Sequence, residues 1–245
     1  MKILKYIKSG KNKYKVILEN QEEIILYEDI ILKYELLLKK EINDLDNIIL
    51  ENNKYLLYDK VLEYLNKRIR SEKEIKDYLK KYTSDTNIID EIISKLFNNR
   101  LLNNELYIKS YIRDKINFTS DGPYKIKDYL LKQEFDSYLI DDMLIEFTDK
   151  LQKEKINNYI NKYLKNNSKS LYVFKQKMLI NLINLGFDKE LINSCLNKIY
   201  FDDSNNLLKE TEKIRKKYSK KYKGIELENI IKRKLYEKGF KLERS

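Results

Sequence analysis

Histidine is missing from all 245 residues, and cysteine occurs once, as Cys195. Those two facts remove the commonest general base, the Ser–His and Cys–His nucleophile pairs, and nearly every zinc site. Five scattered glycines form neither a Gly-x-x-x-x-Gly-Lys-Ser/Thr phosphate loop nor a Gly-x-Gly-x-x-Gly turn. Carboxylates stand side by side at Asp141-Asp142 and Asp202-Asp203. Neighbours on a helix diverge by about 100°, so neither pair converges on a reacting atom, and both read as helix-terminus or surface charges. Cys195 lies on an apolar helical face and reads as a small core hydrophobe. These residues imply no cofactor and no bound metal.

What remains is binding chemistry. Fifty Lys and Arg against 39 Asp and Glu leave a net charge of +11, which favours an acidic partner, most often nucleic acid. The excess is uneven. Residues 1–15 hold six lysines and no acid, and residues 209–223 hold eight basic residues against Glu210 and Glu212. Arginine is scarce: Arg68, Arg70, Arg100, Arg113, Arg215, Arg233 and Arg244 are all there are. A guanidinium fork grips phosphate or carboxylate with a geometry that lysine lacks, so these positions carry more information than the lysines. For each, the plain alternative is a surface salt bridge. Twenty-one tyrosines offer rings on which bases stack, but most, like Tyr78 and Tyr129, fall on apolar helical faces.

The elements that position these cations come from a repeat. Ile75-Lys76-Asp77-Tyr78-Leu79 returns unchanged as Ile126-Lys127-Asp128-Tyr129-Leu130. A second block follows each: Ile88 to Ile93, then Leu139 to Leu144. A degraded copy runs from Met178 to Leu182 and from Leu191 to Leu196, and half of another ends the chain with Ile231 and Leu235. A fixed period near 50 residues marks a tandem array of one supersecondary unit, and arrays present long binding surfaces. Ser71-x-x-Glu74 is a capping box opening the second helix of the first unit. Ile75, Tyr78, Leu79 and Tyr82 then share one helical face. Gly122-Pro123 opens the matching helix of the next unit. Gly186-Phe187 and Gly239-Phe240 close the later ones, and Phe135, Phe187 and Phe240 fix the register as core residues.

Residues 1–27 read differently. Ile3 to Lys8 with a Ser9-Gly10 turn, then Lys13 to Leu18 and Glu23 to Tyr27, form a predicted three-stranded meander. Residues 28–40 read as one short helix with Ile30, Ile31, Tyr34 and Leu38 on one side. A longer helix starts near Asn43. The expected fold is mainly α: tandem three-helix repeats in an elongated curved array with a small N-terminal β-meander. The expected divisions are 1–42 (meander and short helix), 43–102, 103–150 and 151–200 (three-helix repeats 1 to 3), and 201–245 (a basic partial repeat). With no disulfide framework, no cleavable leader and no run of about 18 apolar residues, the chain is expected to be soluble and cytoplasmic.

The segment from Tyr64 to Ile75, Tyr-Leu-Asn-Lys-Arg-Ile-Arg-Ser-Glu-Lys-Glu-Ile, resembles the "YL-x-x-RPRS-x-x-E-L" signature of the RecX family of recombinase regulators. The likeness continues through Leu96 into Arg100 to Tyr107, and Gly122-Pro123-x-x-Ile126-x-x-x-Leu130 is similar to the start of that family's second helical unit. It covers nearly the whole chain, most strongly 55–145. Ile69 stands where the family usually has proline, and Glu134 where it usually has glycine. The resemblance implies a monomeric, non-catalytic protein that lodges along a RecA-type recombinase filament on single-stranded DNA and modulates, mostly inhibiting, its ATPase and strand exchange in recombination, repair and the SOS response. With that reading, Arg68, Arg70, Arg100, Arg113 and Lys115 are the expected partner contacts, with Arg113 and Lys115 at the turn of repeat two that matches Arg68 and Arg70. Arg215, Lys216, Lys217, Lys220, Lys221 and Lys223 are the expected phosphate-attracting set. The competing readings are a stand-alone basic nucleic-acid-binding helical repeat protein and a structural scaffold whose charge reflects the bias of an AT-rich genome. On the chemistry above, the purified chain is expected to turn over no ATP and cut no DNA. Hydrolysis above that of a Lys/Arg-substituted control would overturn this.

Overall fold

A computed structural model describes residues 1–241, which divide into two compact units, Met1–Tyr107 and Ile108 onward. In the first, β1 (Ile3–Gly10), β2 (Lys13–Leu18) and β3 (Glu23–Tyr27) form an antiparallel sheet in that order. Gly10 pairs with Lys13, so the turn is Lys11-Asn12 rather than the expected Ser9-Gly10. Asn12 takes the left-handed conformation, φ 62°, which asparagine tolerates better than most residues. Val16, Leu18 and Leu26 alternate onto one face and are buried with Ile30, Ile31, Leu36, Ile42 and Ile48. The free edge of β3 is closed by one side chain: Asn52 accepts from the Tyr27 N–H at 2.8 Å and donates to the Ile25 carbonyl at 2.9 Å.

The expected single helix over 28–40 is two, α1 (Glu28–Lys33) and α2 (Leu36–Lys39). Glu35 between them is left-handed, φ 54°. That break rotates the following face, so Leu36 is buried and Leu38, expected inside, is 82% exposed. The next helix, α3 (Leu45–Leu65), opens on an Asp44 N-cap and runs 21 residues.

Three-helix units follow. In the first, α3, α4 (Glu72–Leu79) and α5 (Thr86–Asn98) enclose Leu57, Val61, Ile75, Leu79, Ile89, Ile92 and Leu96. The capping box is formed in full at Ser71 and Glu74. The second unit has α6 (Asn104–Phe118), α7 (Pro123–Lys132) and α8 (Ser137–Leu144), and the third has α9 (Asp149–Leu164), α10 (Leu171–Asn184) and α11 (Lys189–Leu196). A partial one ends with α12 (Ser204–Tyr218) and α13 (Gly224–Glu237). Among the described residues no helix is long and apolar enough to cross a membrane.

The second helices of the later units, α7, α10 and α13, close alike. Glu134, Gly186 and Gly239 are left-handed, with φ of 65°, 87° and 72°. The next residue, Phe135, Phe187 or Phe240, turns its N–H back to Leu130, Leu182 or Leu235 at 3.1–3.3 Å. All six of these Phe and Leu side chains are buried. This is a Schellman closure, in which a 6→1 hydrogen bond seats the aromatic against its leucine. It places Gly186 against the start of α7: the Gly122 N–H donates to the Leu185 carbonyl at 2.6 Å, and the Tyr124 N–H to the Gly186 carbonyl at 3.0 Å. A Cβ on Gly122 would lie 2.5 Å from the Gly186 oxygen, and one on Gly186 would overlap the Lys125 backbone nitrogen. Gly224, also left-handed, has open space around it. Gly186→Ala combines backbone strain with a backbone clash and is expected to destabilise the protein by about 3 kcal/mol. Gly224→Ala should cost about 1 kcal/mol. Urea unfolding midpoints would check the order, and equal losses would show that the joint does not constrain the fold.

Candidate functional site

The expected contact residues start at the turn leaving α3. Glu74 reaches back to the Ser71 N–H at 3.0 Å while the Ser71 hydroxyl accepts from the Glu74 N–H at 3.1 Å. That carboxylate is also gripped by Arg68, through Nη2 to one oxygen and Nη1 to the other at 3.2 Å, and Arg68 Nη1 also reaches the Ile69 carbonyl at 3.0 Å. Arg70 stands 3.6 Å from the same carboxylate. Its guanidinium lies 3.9 Å over the Tyr64 ring, which stacks on Tyr78 at 4.3 Å and 5°. Tyr78 in turn meets Tyr82 edge-on at 5.3 Å. The Arg70 side chain is only 11% exposed, so it is the head of an aromatic column more than a free fork. Burial pushes the Glu74 carboxyl up, but the Arg68 hydrogen bonds, the Ser71 N–H and the charges of both arginines outweigh it and hold the group below its ordinary value.

The second unit repeats the stack with different cations. Tyr111 lies on Tyr129 at 4.4 Å and 10°, and the Lys115 ammonium stands 5.3 Å over Tyr111. Lys115 and Lys125 share Asp121 at 3.2 and 2.6 Å. Tyr78 and Tyr129 occupy the same place in their repeats, and Asn181 holds it in the third. Arg113 and Lys115 do not sit at the turn matching Arg68 and Arg70. They lie inside α6, because that helix continues to Phe118 and the turn falls to Thr119, Ser120 and Asp121. Arg113 is exposed and its side chain makes no bond to the described residues.

Lys155 is a positioning residue that the sequence did not single out. Its ammonium donates to the Lys115 carbonyl at 3.2 Å, the Thr119 carbonyl at 2.7 Å and the Ile116 carbonyl, closing the C-terminus of α6. Burial pushes its pKa down, against the opposing pull of Asp121. Nothing local in the sequence marks it, since its partners lie 36–40 residues away.

Arg100 closes α5 in the left-handed conformation, φ 57°, where Leu101 turns its N–H back to the Leu96 carbonyl at 2.9 Å. Its side chain is exposed and bonded to none of the described residues. At the other end of the chain, Arg215 pairs with Glu228 at 2.6 Å. Lys217 and Lys221 stand over the neighbouring rings of Tyr218 and Tyr222. Lys216, Lys220 and Lys223 are exposed without an ion pair to the described residues. This group gathers at the end of α12 and the turn into α13, where cations also complement the helix dipole. Arg233 pairs weakly with Glu237 at 3.9 Å, and Arg244 lies outside the described residues. Three of the four paired carboxylates are occupied by structure: Asp141 holds Lys127 at 2.6 Å, Asp202 accepts from the Ser204 N–H at 2.9 Å and Asp203 from the Leu171 N–H at 2.7 Å.

With this geometry in hand, comparison with known proteins is informative. The family model for "RecX, first three-helix domain" matches residues 58–96, the end of α3 with α4 and most of α5. The regulatory protein RecX of Lactococcus lactis is 31% identical over 96% of this chain and 92% of its own length. That of Streptococcus agalactiae is 32% identical over 99% and 96%. A crystal structure of regulatory protein RecX superposes with a TM-score of 0.69 over 80% of this chain and 99% of that one, a likeness of fold at 24% identity. RecX from Lactobacillus salivarius gives a TM-score of 0.55 at 31% identity over 60% and 97%.

Glu74 supplies a test of the first turn. Its folded pKa is depressed, so its contribution is present above the ordinary value of 4.5 and is lost as pH falls through the folded pKa. Glu74→Gln is expected to lower stability near neutrality and to flatten the loss of stability below about pH 4.5. Thermal melts from pH 7 to pH 3 would check this. Parallel acid limbs for the two proteins would show that the carboxylate is not what holds the arginines.

Proposed function

The chain belongs to the RecX family, and on that footing we propose that it binds a RecA-type recombinase filament on single-stranded DNA and modulates it, mostly inhibiting its ATPase and strand exchange. The observation that carries this is the similarity at about 30% identity to regulatory proteins over nearly the whole chain. The side-chain geometry supports action by contact without catalysis. Asp141, Asp202 and Asp203 are taken up by Lys127 and by helix N-termini, while several cations make no ion pair with the described residues. Arg100 and Arg113 are the contacts best placed to meet a partner, since both are exposed and uncommitted. Arg68 has one exposed half to offer, and Arg70 and Lys115 act by shaping the turn and stack beside them. The cluster Arg215, Lys216, Lys217, Lys220, Lys221 and Lys223 supplies a less specific attraction to phosphate. That same exposed cluster favours the second reading, a stand-alone nucleic-acid binder.

The deciding measurement is the DNA-dependent ATPase of the host recombinase, with and without the chain. Inhibition at ratios well below one chain per recombinase subunit supports the proposal. DNA binding with no effect on the ATPase favours the second reading. Arg100→Gly and Arg113→Ala are expected to weaken inhibition several-fold at fixed salt. Arg100→Gly should at the same time raise stability by roughly 0.5–1 kcal/mol, because glycine carries no left-handed penalty. Neutralising three of the C-terminal lysines should instead flatten the salt dependence, by about one unit of slope per lost phosphate contact. Full inhibition by the arginine variants, with loss on neutralising the lysines, would move recognition to the C-terminal run.

A further inference from the structure

Most rings in this chain are already occupied, by another ring or by a cation. Tyr172 and Tyr200 are not. They are 60% and 81% exposed, make no ring or cation contact with the described residues, and line the same cleft of about 400 Å³. Tyr172 is braced from beneath, and the loop that carries Tyr200 is fastened by its next residues. Tyr172 sits in the first turn of α10, and Gly239 packs so closely on its ring that a Cβ there would lie 2.9 Å from ring carbon Cδ1. Tyr200 lies in the loop before α12. Its neighbour Phe201 meets the buried Phe174 edge-on at 5.7 Å and 86°, and Asp203 fastens the same loop to α10 through the Leu171 N–H at 2.7 Å.

The charges in the cleft divide cleanly. Its carboxylates, Asp202 and Asp203, are turned to helix N-termini, Asp202 accepting from the Ser204 N–H at 2.9 Å and its hydroxyl at 2.6 Å. There the helix dipole offsets their charge. Its ammonium groups, Lys175 and Lys241, have no ion pair with the described residues. Two exposed rings, beside two cations with no ion pair to the described residues, match a base with its flanking phosphates.

The preceding joint supplies an internal comparison. Tyr124 occupies the same place in α7 that Tyr172 occupies in α10, and it too lines a cleft, of about 550 Å³. There the wall carries three carboxylates, Asp149, Asp188 and Glu190, against the single cation Lys153, where the later cleft has two of each. The same notch recurs, and the later one is the less acidic and the better suited to a polyanion.

We propose that the cleft of Tyr172 and Tyr200 is a base-stacking clamp for single-stranded nucleic acid, with Lys175 and Lys241 on the adjoining phosphates. The proposal deepens the regulatory reading by giving the chain its own grip on the single strand, and it rests on that reading only for its biological setting.

The test is fluorescence anisotropy of the full chain, without recombinase, on labelled oligo-dT and on an abasic oligonucleotide of the same length. Wild type should prefer oligo-dT. Tyr172→Ala and Tyr200→Ala should each weaken oligo-dT binding about tenfold while leaving abasic binding and the salt slope unchanged. Tyr200→Phe should retain affinity, and Tyr124→Ala should have no effect. The chain has no tryptophan, so Tyr200→Trp adds a single reporter whose emission should be quenched by oligo-dT and not by the abasic strand. Absence of binding, equal affinity for the two oligonucleotides, or a Tyr172→Ala/Tyr200→Ala double variant that binds oligo-dT as wild type does would each overturn the clamp. A double variant that loses ATPase inhibition but keeps oligo-dT binding would also overturn it, in favour of a protein contact. The recombinase ATPase run in parallel separates the two readings. Wild type that grips oligo-dT but leaves the ATPase untouched sinks the regulator and keeps the clamp, and inhibition without base preference does the reverse.

Discussion

Helix ends leave backbone groups without partners, donors at the start and acceptors at the finish, and where the second and third three-helix units meet each solves the other's problem. The carbonyls of Leu185 and Gly186, past the end of α10, take the N–H groups of Gly122 and Tyr124 at the start of α7. One repeat later the Lys238 carbonyl, past α13, takes the Ser170 hydroxyl at the start of α10 at 2.9 Å. Positive and negative dipole ends meet at each joint, which adds a favourable electrostatic contribution. The geometry requires that the chain turn left-handed at once after the helix, and that no side chain stand between the two backbones where they touch. Gly122 and Gly186 satisfy both demands at the first joint. At the second, serine provides the capping oxygen and only Gly239 is needed. The three phenylalanines follow from the same turn, since a left-handed residue points the next side chain back onto the helix it has just left.

Much of this was open to reading in the residues, because it is local. The Ser71–Glu74 box, the Ile75–Leu79 face and the Phe135, Phe187, Phe240 register each depend on neighbours within one or two turns. The failures were of another kind. The break at Glu35 has no glycine or proline to announce it. It arises because the short helices must fold Ile30, Ile31 and Leu36 under the sheet, and a continuous helix would carry Leu38 inward in place of Leu36. Arg113 and Lys115 were expected at a turn because the first repeat puts its arginines there. The units differ in where their first helix stops, and the sequence spacing of 47 between Tyr64 and Tyr111, against 51 between Tyr78 and Tyr129, is the trace of that difference. Lys155 was invisible, since three carbonyls 36–40 residues away define its role.

The cations show why net charge alone is a poor guide to a binding surface. Glu74 absorbs two arginines and Asp121 two lysines. Other lysines lie over rings, as Lys95 does at 4.4 Å from Tyr58 and 5.0 Å from Tyr55. Such pairs tie elements together and leave little charge facing outward. An incoming polyanion would have to compete with a carboxylate or a ring already in place, so the positions that matter are those with no internal claim on them.

Arg100 is the sharpest of these, and energetics say that the fold did not require it. A left-handed L-residue costs about 1–2 kcal/mol, and a cation near a helix C-terminus returns roughly 0.3–1 kcal/mol at an exposed site. The balance favours glycine, which the equivalent closures at Gly186 and Gly239 use. Glu134 shows that this chain tolerates a side chain at such a turn, but there the turn lies beside the buried Phe135, whereas the residue after Arg100 is the half-exposed Leu101. Arg100 sets an exposed guanidinium, with no ion pair to the described residues, on a helix end whose left-handed backbone is costly for any residue but glycine. A lysine on a helix face would bring the same charge without the planar fork, and a flexible loop would bring the arginine without the fixed point of attachment.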